Sequence, residues 1–180
     1  MPANYPVRNL PSSLMPQDCH NIRLLRLVSL PVTYEMISYI AWISESIVCD
    51  GDYSLPTPEP PGSPEIPDLE DFITHVCTRS NVYTATLLCV VIYLNRLRAR
   101  MPTLASAAPG TPHRLFIASL IVAAKYLNDC APKNIHWMFC ANNLFDLREI
   151  NLMEKQMLFL LDFKLSFTER EALMDWAPLL

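Results

Sequence analysis

The chain has 180 residues, 51% of them hydrophobic and 18% charged, so most of it should fold around a sizeable core rather than stay disordered. Its formal net charge of −4 argues against non-specific nucleic-acid binding, which needs clustered lysine and arginine. Three glycines are too few for the tight turns of a β-rich fold or for a phosphate-cradling loop.

The N-terminus is polar and proline-rich, unlike a signal peptide. With no periodicity up to about Gln17, residues 1–30 are expected to form a mostly disordered arm. From Pro31 to Val48 the residues Val32, Met36, Ile37, Ile40, Trp42, Ile43 and Ile47 recur at helical spacing, predicting an accessory helix over 31–49 with Pro31 in its first turn. Residues 50–67 carry six prolines after Asp50-Gly51-Asp52 and read as a linker.

Five helical segments follow in residues 68–167, and a short C-terminal helix in 168–180. The first runs from about Asp68 to Thr78, the second from Val82 to Met101. Arg96, Arg98 and Arg100 suit the carbonyl end of the second. The third opens at Thr111-Pro112, read as an N-cap and an N1 proline, and continues to about Asn128. A short fourth segment follows Pro132. The fifth opens on Asp146-Leu147-Arg148-Glu149, with the spacing of a capping box, and Thr168-Glu169-Arg170-Glu171 repeats that pattern. From Leu115 to Ala124 only Ser119 is polar. Such a helix belongs at the centre of a bundle, and the run is too short to span a bilayer. The fold class is therefore all-α.

Two charges stand out. Lys125 ends the apolar third helix, where a lysine either snorkels to the surface or meets a specific partner; a catalytic role would need a carbonyl or cofactor site that nothing suggests. Glu154 sits on the edge of the stripe formed by Ile150, Met153, Met157, Leu158, Leu160 and Leu161. A carboxylate there must be paired or hydrogen-bonded. It is either half of an internal salt bridge, with Lys125 itself as one partner, or a charged clasp on an apolar docking surface.

Other constellations are weaker. The six cysteines contain no C-x-x-C pair and read as reduced thiols. Cys130, His136 and Cys140 lack an obvious fourth ligand, so no metal is expected. No nucleophile–base arrangement or nucleotide motif is present. His113 and Arg114, at a helix start, either bind an anion or pin that helix to its neighbour.

The run from Thr111 to Ala118, then Ala123-Ala124-Lys125-Tyr126-Leu127-Asn128-Asp129, Pro132-Lys133-Asn134, Trp137 and Glu149 to Glu154 resemble the fungal Pcl-type cyclins. The segment from Pro31 to Ile47 is similar to the helix preceding the cyclin box in that group. The resemblance implies a single five-helix cyclin box with an additional N-terminal helix. It also implies a non-enzymatic regulatory subunit, without cofactor, forming a heterodimer with a cyclin-dependent kinase of the phosphate-system type. Kinase contacts carried over from the family fall on Lys125, Glu154, Val122, Tyr126, Leu158 and Phe163. The implied setting is cell-cycle or nutrient and phosphate control in the nucleus or cytoplasm, with no membrane and no nucleic acid. The alternative is a cyclin-box scaffold of transcription complexes. Two departures from the wider family are expected. Asn95 replaces an aspartate that pairs with an arginine of the first box helix, and the substrate-docking motif of some cell-cycle cyclins is missing.

Overall fold

Short polar side chains set most of the helix starts. Asn21 accepts from the Arg23 N–H at 2.9 Å and opens α1, Ile22–Ser29. Thr33 caps α2, Tyr34–Ser46, and Asp68 caps α3, Leu69–Ser80. Each satisfies backbone donors that the first turn leaves unpaired. Then come α4, Thr84–Arg100, α5, Thr111–Leu127, and α6, Asn134–Cys140. In α7, Leu147–Leu160, the reciprocal box is complete: Asp146 accepts from the Glu149 N–H at 2.8 Å and Glu149 accepts from the Asp146 N–H at 3.0 Å. Thr168 caps α8, Glu169–Asp175, and a 3₁₀ turn closes the chain at Ala177–Leu179. This computed structural model describes residues 19–48, 66–100 and 110–180, and among them every regular element is helical. No single helix among them is long and apolar enough to cross a membrane.

Three local expectations are corrected. The arm over 1–30 contains α1, whose Leu24 and Leu27 are buried and which packs on α4; residues 1–18 lie outside the described residues, as does the proline-rich stretch 49–65. The accessory helix begins at Tyr34 behind the Thr33 cap, leaving Pro31 outside it. The cap of α5 is Gly110, at φ +75°, so Thr111 is already helical. A Cβ at Gly110 would lie 3.2 Å from both Arg114 Nη1 and Ile66 Cδ1 in a left-handed conformation, which glycine alone adopts without strain.

The apolar run of α5 is buried as its sequence predicts, from Phe116 through Ala124. It shares the centre with α4, buried all round from Leu87 to Leu94. α5 packs against α4 and α7, while α1, α2 and α8 cover other faces of α4. The centre is thus a pair of helices rather than one.

The three arginines ending α4 do more than complement its dipole. Arg96 forks onto both Glu171 oxygens at 2.7 and 2.9 Å and donates to the carbonyls of Lys164 and Ser166. Arg100 reaches the Leu160 carbonyl at 3.0 Å and Asp162 at 2.9 Å. Arg98 lies over the Trp42 ring. Asn95 donates to the Asp175 carboxylate of α8 at 3.1 Å, so it bonds the C-terminal helix rather than the first box helix. Trp176, almost wholly buried, donates its indole N–H to the Leu88 carbonyl at 2.9 Å. Bidentate guanidinium contacts and a buried indole fix geometry as well as energy, so the residues after the box are locked onto α4.

Burial also sets thiol chemistry. It pushes the Cys77 and Cys89 thiols up to about 12, whereas Cys130 is exposed. Since the thiolate is the reactive form, a maleimide at neutral pH should modify Cys130 and leave Cys77 and Cys89 intact until denaturant is added. Peptide mass spectrometry reads this directly, and labelling of native Cys89 would contradict the packing of α4.

Candidate functional site

Lys125 emerges in the last turn of α5, immediately after Ala124, the last residue of the helix that its neighbours bury. Its ammonium lies 2.7 Å from both carboxylate oxygens of Glu154, in the middle of α7. The Glu154 side chain is 18% exposed and that of Lys125 37%, so the pair is half-shielded and reachable from one side. A third residue completes it. Asn134, first in α6, donates from Nδ2 to Glu154 Oε2 at 2.6 Å and to Asn151 Oδ1 at 2.7 Å. Of the two readings weighed for Glu154 in the sequence, the structure shows the internal salt bridge with Lys125.

Counting donors and acceptors shows what it can do. An ammonium has three N–H donors and a carboxylate about four lone-pair sites. Glu154 engages two of the former; Lys125 and Asn134 occupy three of the latter. One donor of Lys125 and one acceptor of Glu154 remain, a pair of groups chemically able to bond the C=O and N–H of a peptide backbone.

Apolar side chains flank the pair. Tyr126 follows Lys125 and is exposed, and Leu158, one turn after Glu154, is half-buried. Phe163 is displayed by the end of α7. There the Phe163 N–H bonds the Leu158 carbonyl at 2.9 Å and the Asp162 N–H the Phe159 carbonyl at 2.9 Å, with both residues left-handed at φ 56° and 51°. This is a Schellman termination without glycine. A bulky side chain in that region is strained, and such strain is typical of functional positions. It leaves Phe163 59% exposed, edge-to-face with Phe159 at 5.5 Å.

Val122 does not join this surface. It is 2% exposed, because it lies one turn nearer the middle of α5, where adjoining helices close over it; it can support Lys125 only from within the core. Leu160 is also displaced from expectation: the buried residues of α7 are Ile150, Met153 and Met157, and Leu160 is exposed. Three residues were not singled out in the sequence: Asn134, Asn151 and Phe159. Asn151 precedes Glu154 by three positions on one helical face, and Phe159 is a large aromatic outside the buried stripe; both signals were legible. Asn134 stood only in the Pro132-Lys133-Asn134 run of the family resemblance, since its bond to Glu154 depends on how α6 docks against α7.

The remaining candidates resolve structurally. Nε2 of His113 is 2.9 Å from the Pro67 carbonyl and its ring tilts against Phe72, while burial lowers its pKa from the usual histidine value. Arg114 pairs with Glu149 and covers the Phe145 ring. Both pin the start of α5. Cys130 and His136 are exposed and Cys140 half-buried; among the described residues no three His, Cys, Asp or Glu side chains converge to hold a metal.

Comparisons with known proteins identify relatives of this chain. A family model described as the cyclin N-terminal domain matches residues 64–166, more than half of the chain. Similar curated proteins from the yeast Saccharomyces cerevisiae include PHO85 cyclin-1, 40% identical over 160 residues, which are 86% of this chain and 56% of that protein. PHO85 cyclin-9 is 36% identical over 145 residues, 81% of this chain and 46% of the relative. PHO85 cyclin-2 is 32% identical over 161 residues, 87% and 50% respectively. The chain spans about half the length of the curated relatives it matches.

Proposed function

This chain belongs to the cyclin family, with its relatives among the PHO85 cyclins, and we propose that it is a regulatory subunit that binds and activates a PHO85-type cyclin-dependent kinase. The observation that carries this reading is the Lys125–Glu154 pair, braced by Asn134 and bordered by Tyr126, Leu158 and Phe163. A half-shielded ion pair with one spare donor and one spare acceptor suits the backbone around a kinase's regulatory helix. The exposed aromatics give that helix an apolar seat, and aromatic anchors are where interface energy concentrates.

The mechanism is a population shift. A protein kinase is active when its internal Lys–Glu ion pair is formed and its activation loop is placed, and both depend on the position of the regulatory helix. A partner that binds the competent arrangement more tightly moves the equilibrium toward it by that difference in affinity. Such a subunit supplies no catalytic group and no cofactor.

The test is to mix the purified chain with the PHO85 kinase, follow the mixture by gel filtration and measure phosphorylation of a peptide substrate. The expected result is a one-to-one complex with activity well above that of the kinase alone. Separate elution with no gain in activity contradicts the proposal.

A further inference from the structure

We propose that Asn134 is a positioning residue that fixes the orientation of the kinase-binding carboxylate, an inference that rests on the kinase-regulatory reading above. Its amide nitrogen lies 2.6 Å from Glu154 Oε2, a carboxylate oxygen that can only accept, and 2.7 Å from Asn151 Oδ1. An amide has two N–H groups on one nitrogen; with its ends exchanged, a carbonyl would face the Glu154 carboxylate, so that carboxylate sets the orientation. The consequence is on the other side of the amide, where Asn134 Oδ1 is buried with no hydrogen-bond partner. An orphaned buried acceptor costs stability, so Asn134 is poorly explained as a purely stabilising residue.

Its placement explains what that cost serves. Lys125 is a movable point charge on a four-carbon stem, and with the ammonium equidistant from both oxygens it leaves the plane of the Glu154 carboxylate free to rotate. Asn134 grips one oxygen from a separate helix. Two anchors on two helices hold the carboxylate plane, and with it the direction of the lone-pair site left for the kinase. Preorganisation of this kind raises affinity by removing the cost of ordering a side chain on binding.

The experiment is a calorimetric titration of the whole chain with the PHO85 kinase between pH 5.5 and 8, for wild type, Asn134→Ala and Asn134→Asp. Asn134→Ala should weaken binding modestly and equally at every pH. Asn134→Asp sets a second carboxylate against Glu154, and two adjacent carboxylates resist joint ionisation; the Lys125 ammonium offsets part of this, so the pair holds a proton to higher pH than Glu154 alone. Near pH 8 their repulsion should turn Glu154 away and weaken binding about tenfold relative to wild type. Toward pH 5.5 the shared proton restores a donor between them, and the gap to wild type should close. A purely structural role would lower thermal stability and affinity together without that slope. Wild-type affinity for Asn134→Asp at pH 8, or a loss that runs parallel to wild type across the range, overturns the inference while kinase binding stands. Failure of wild type to bind overturns the underlying reading instead, and the inference falls with it.

Discussion

Replacing Glu154 with alanine is expected to weaken kinase binding by about 2–4 kcal/mol, roughly 30- to 700-fold, the range for truncating one member of a desolvated, hydrogen-bonded charge pair. The fold should hardly notice. Lys125 is partly exposed and can return to water, and Asn134 keeps Asn151 as an acceptor, so the loss of stability should stay within the ~1 kcal/mol of a near-surface ion pair. Lys125→Ala should act in the same direction with a smaller effect, because Asn134 still holds the Glu154 carboxylate. The double variant should lose less than the sum of the two, as residues sharing one network do. Titration calorimetry beside thermal unfolding separates the quantities; helical content falling in step with affinity would make the pair structural rather than functional.

Trp176→Ala should have the largest effect on stability. α8 has seven residues, too few to hold a helix alone, and Trp176 is 4% exposed with its indole bonded to Leu88 and its ring edge-on to Phe167. Truncating a buried aromatic costs about 3–5 kcal/mol, which for a chain of this size lowers the unfolding midpoint by about 10 °C or more. Trp176→Phe keeps much of the volume and loses the hydrogen bond, about 1 kcal/mol. Urea titration checks both, and a loss under 1 kcal/mol for Trp176→Ala would mean that the C-terminal helix is not part of the cooperative unit. Trp176 makes none of the bonds that hold the Lys125–Glu154 pair, so affinity in the folded variants should remain near wild type.

Glu154 and Trp176 differ in how far their roles could be read from sequence. Lys125 and Glu154 were visible because each breaks a local pattern, one ending an apolar helix and one at the edge of an apolar stripe. A helix presents such breaks within a few residues. Asp146 with Glu149 and Thr168 with Glu171 were legible for the same reason, since a cap is complete within one turn. Long-range partners were not. The charges of Arg96 and Arg100 look like a solvated helix end until residues 60 to 75 positions later fold back onto them, and that return also buries the flank of α4. α1 was missed because eight residues give hardly two turns of periodicity, and its helicity depends on α4 beneath it. The burial of Val122 was not legible, because the family pattern fixes its side of the helix but not how far the surrounding helices extend along it.

The most direct test of the central claim is site-specific photo-crosslinking to the kinase. A benzoylphenylalanine placed at Phe163 or at Tyr126 should yield a covalent product with the small lobe of the PHO85 kinase. The same probe at Tyr34, exposed on α2, should yield none. Cross-links from Tyr34 with none from Phe163 or Tyr126 would place the kinase on another face and contradict the account.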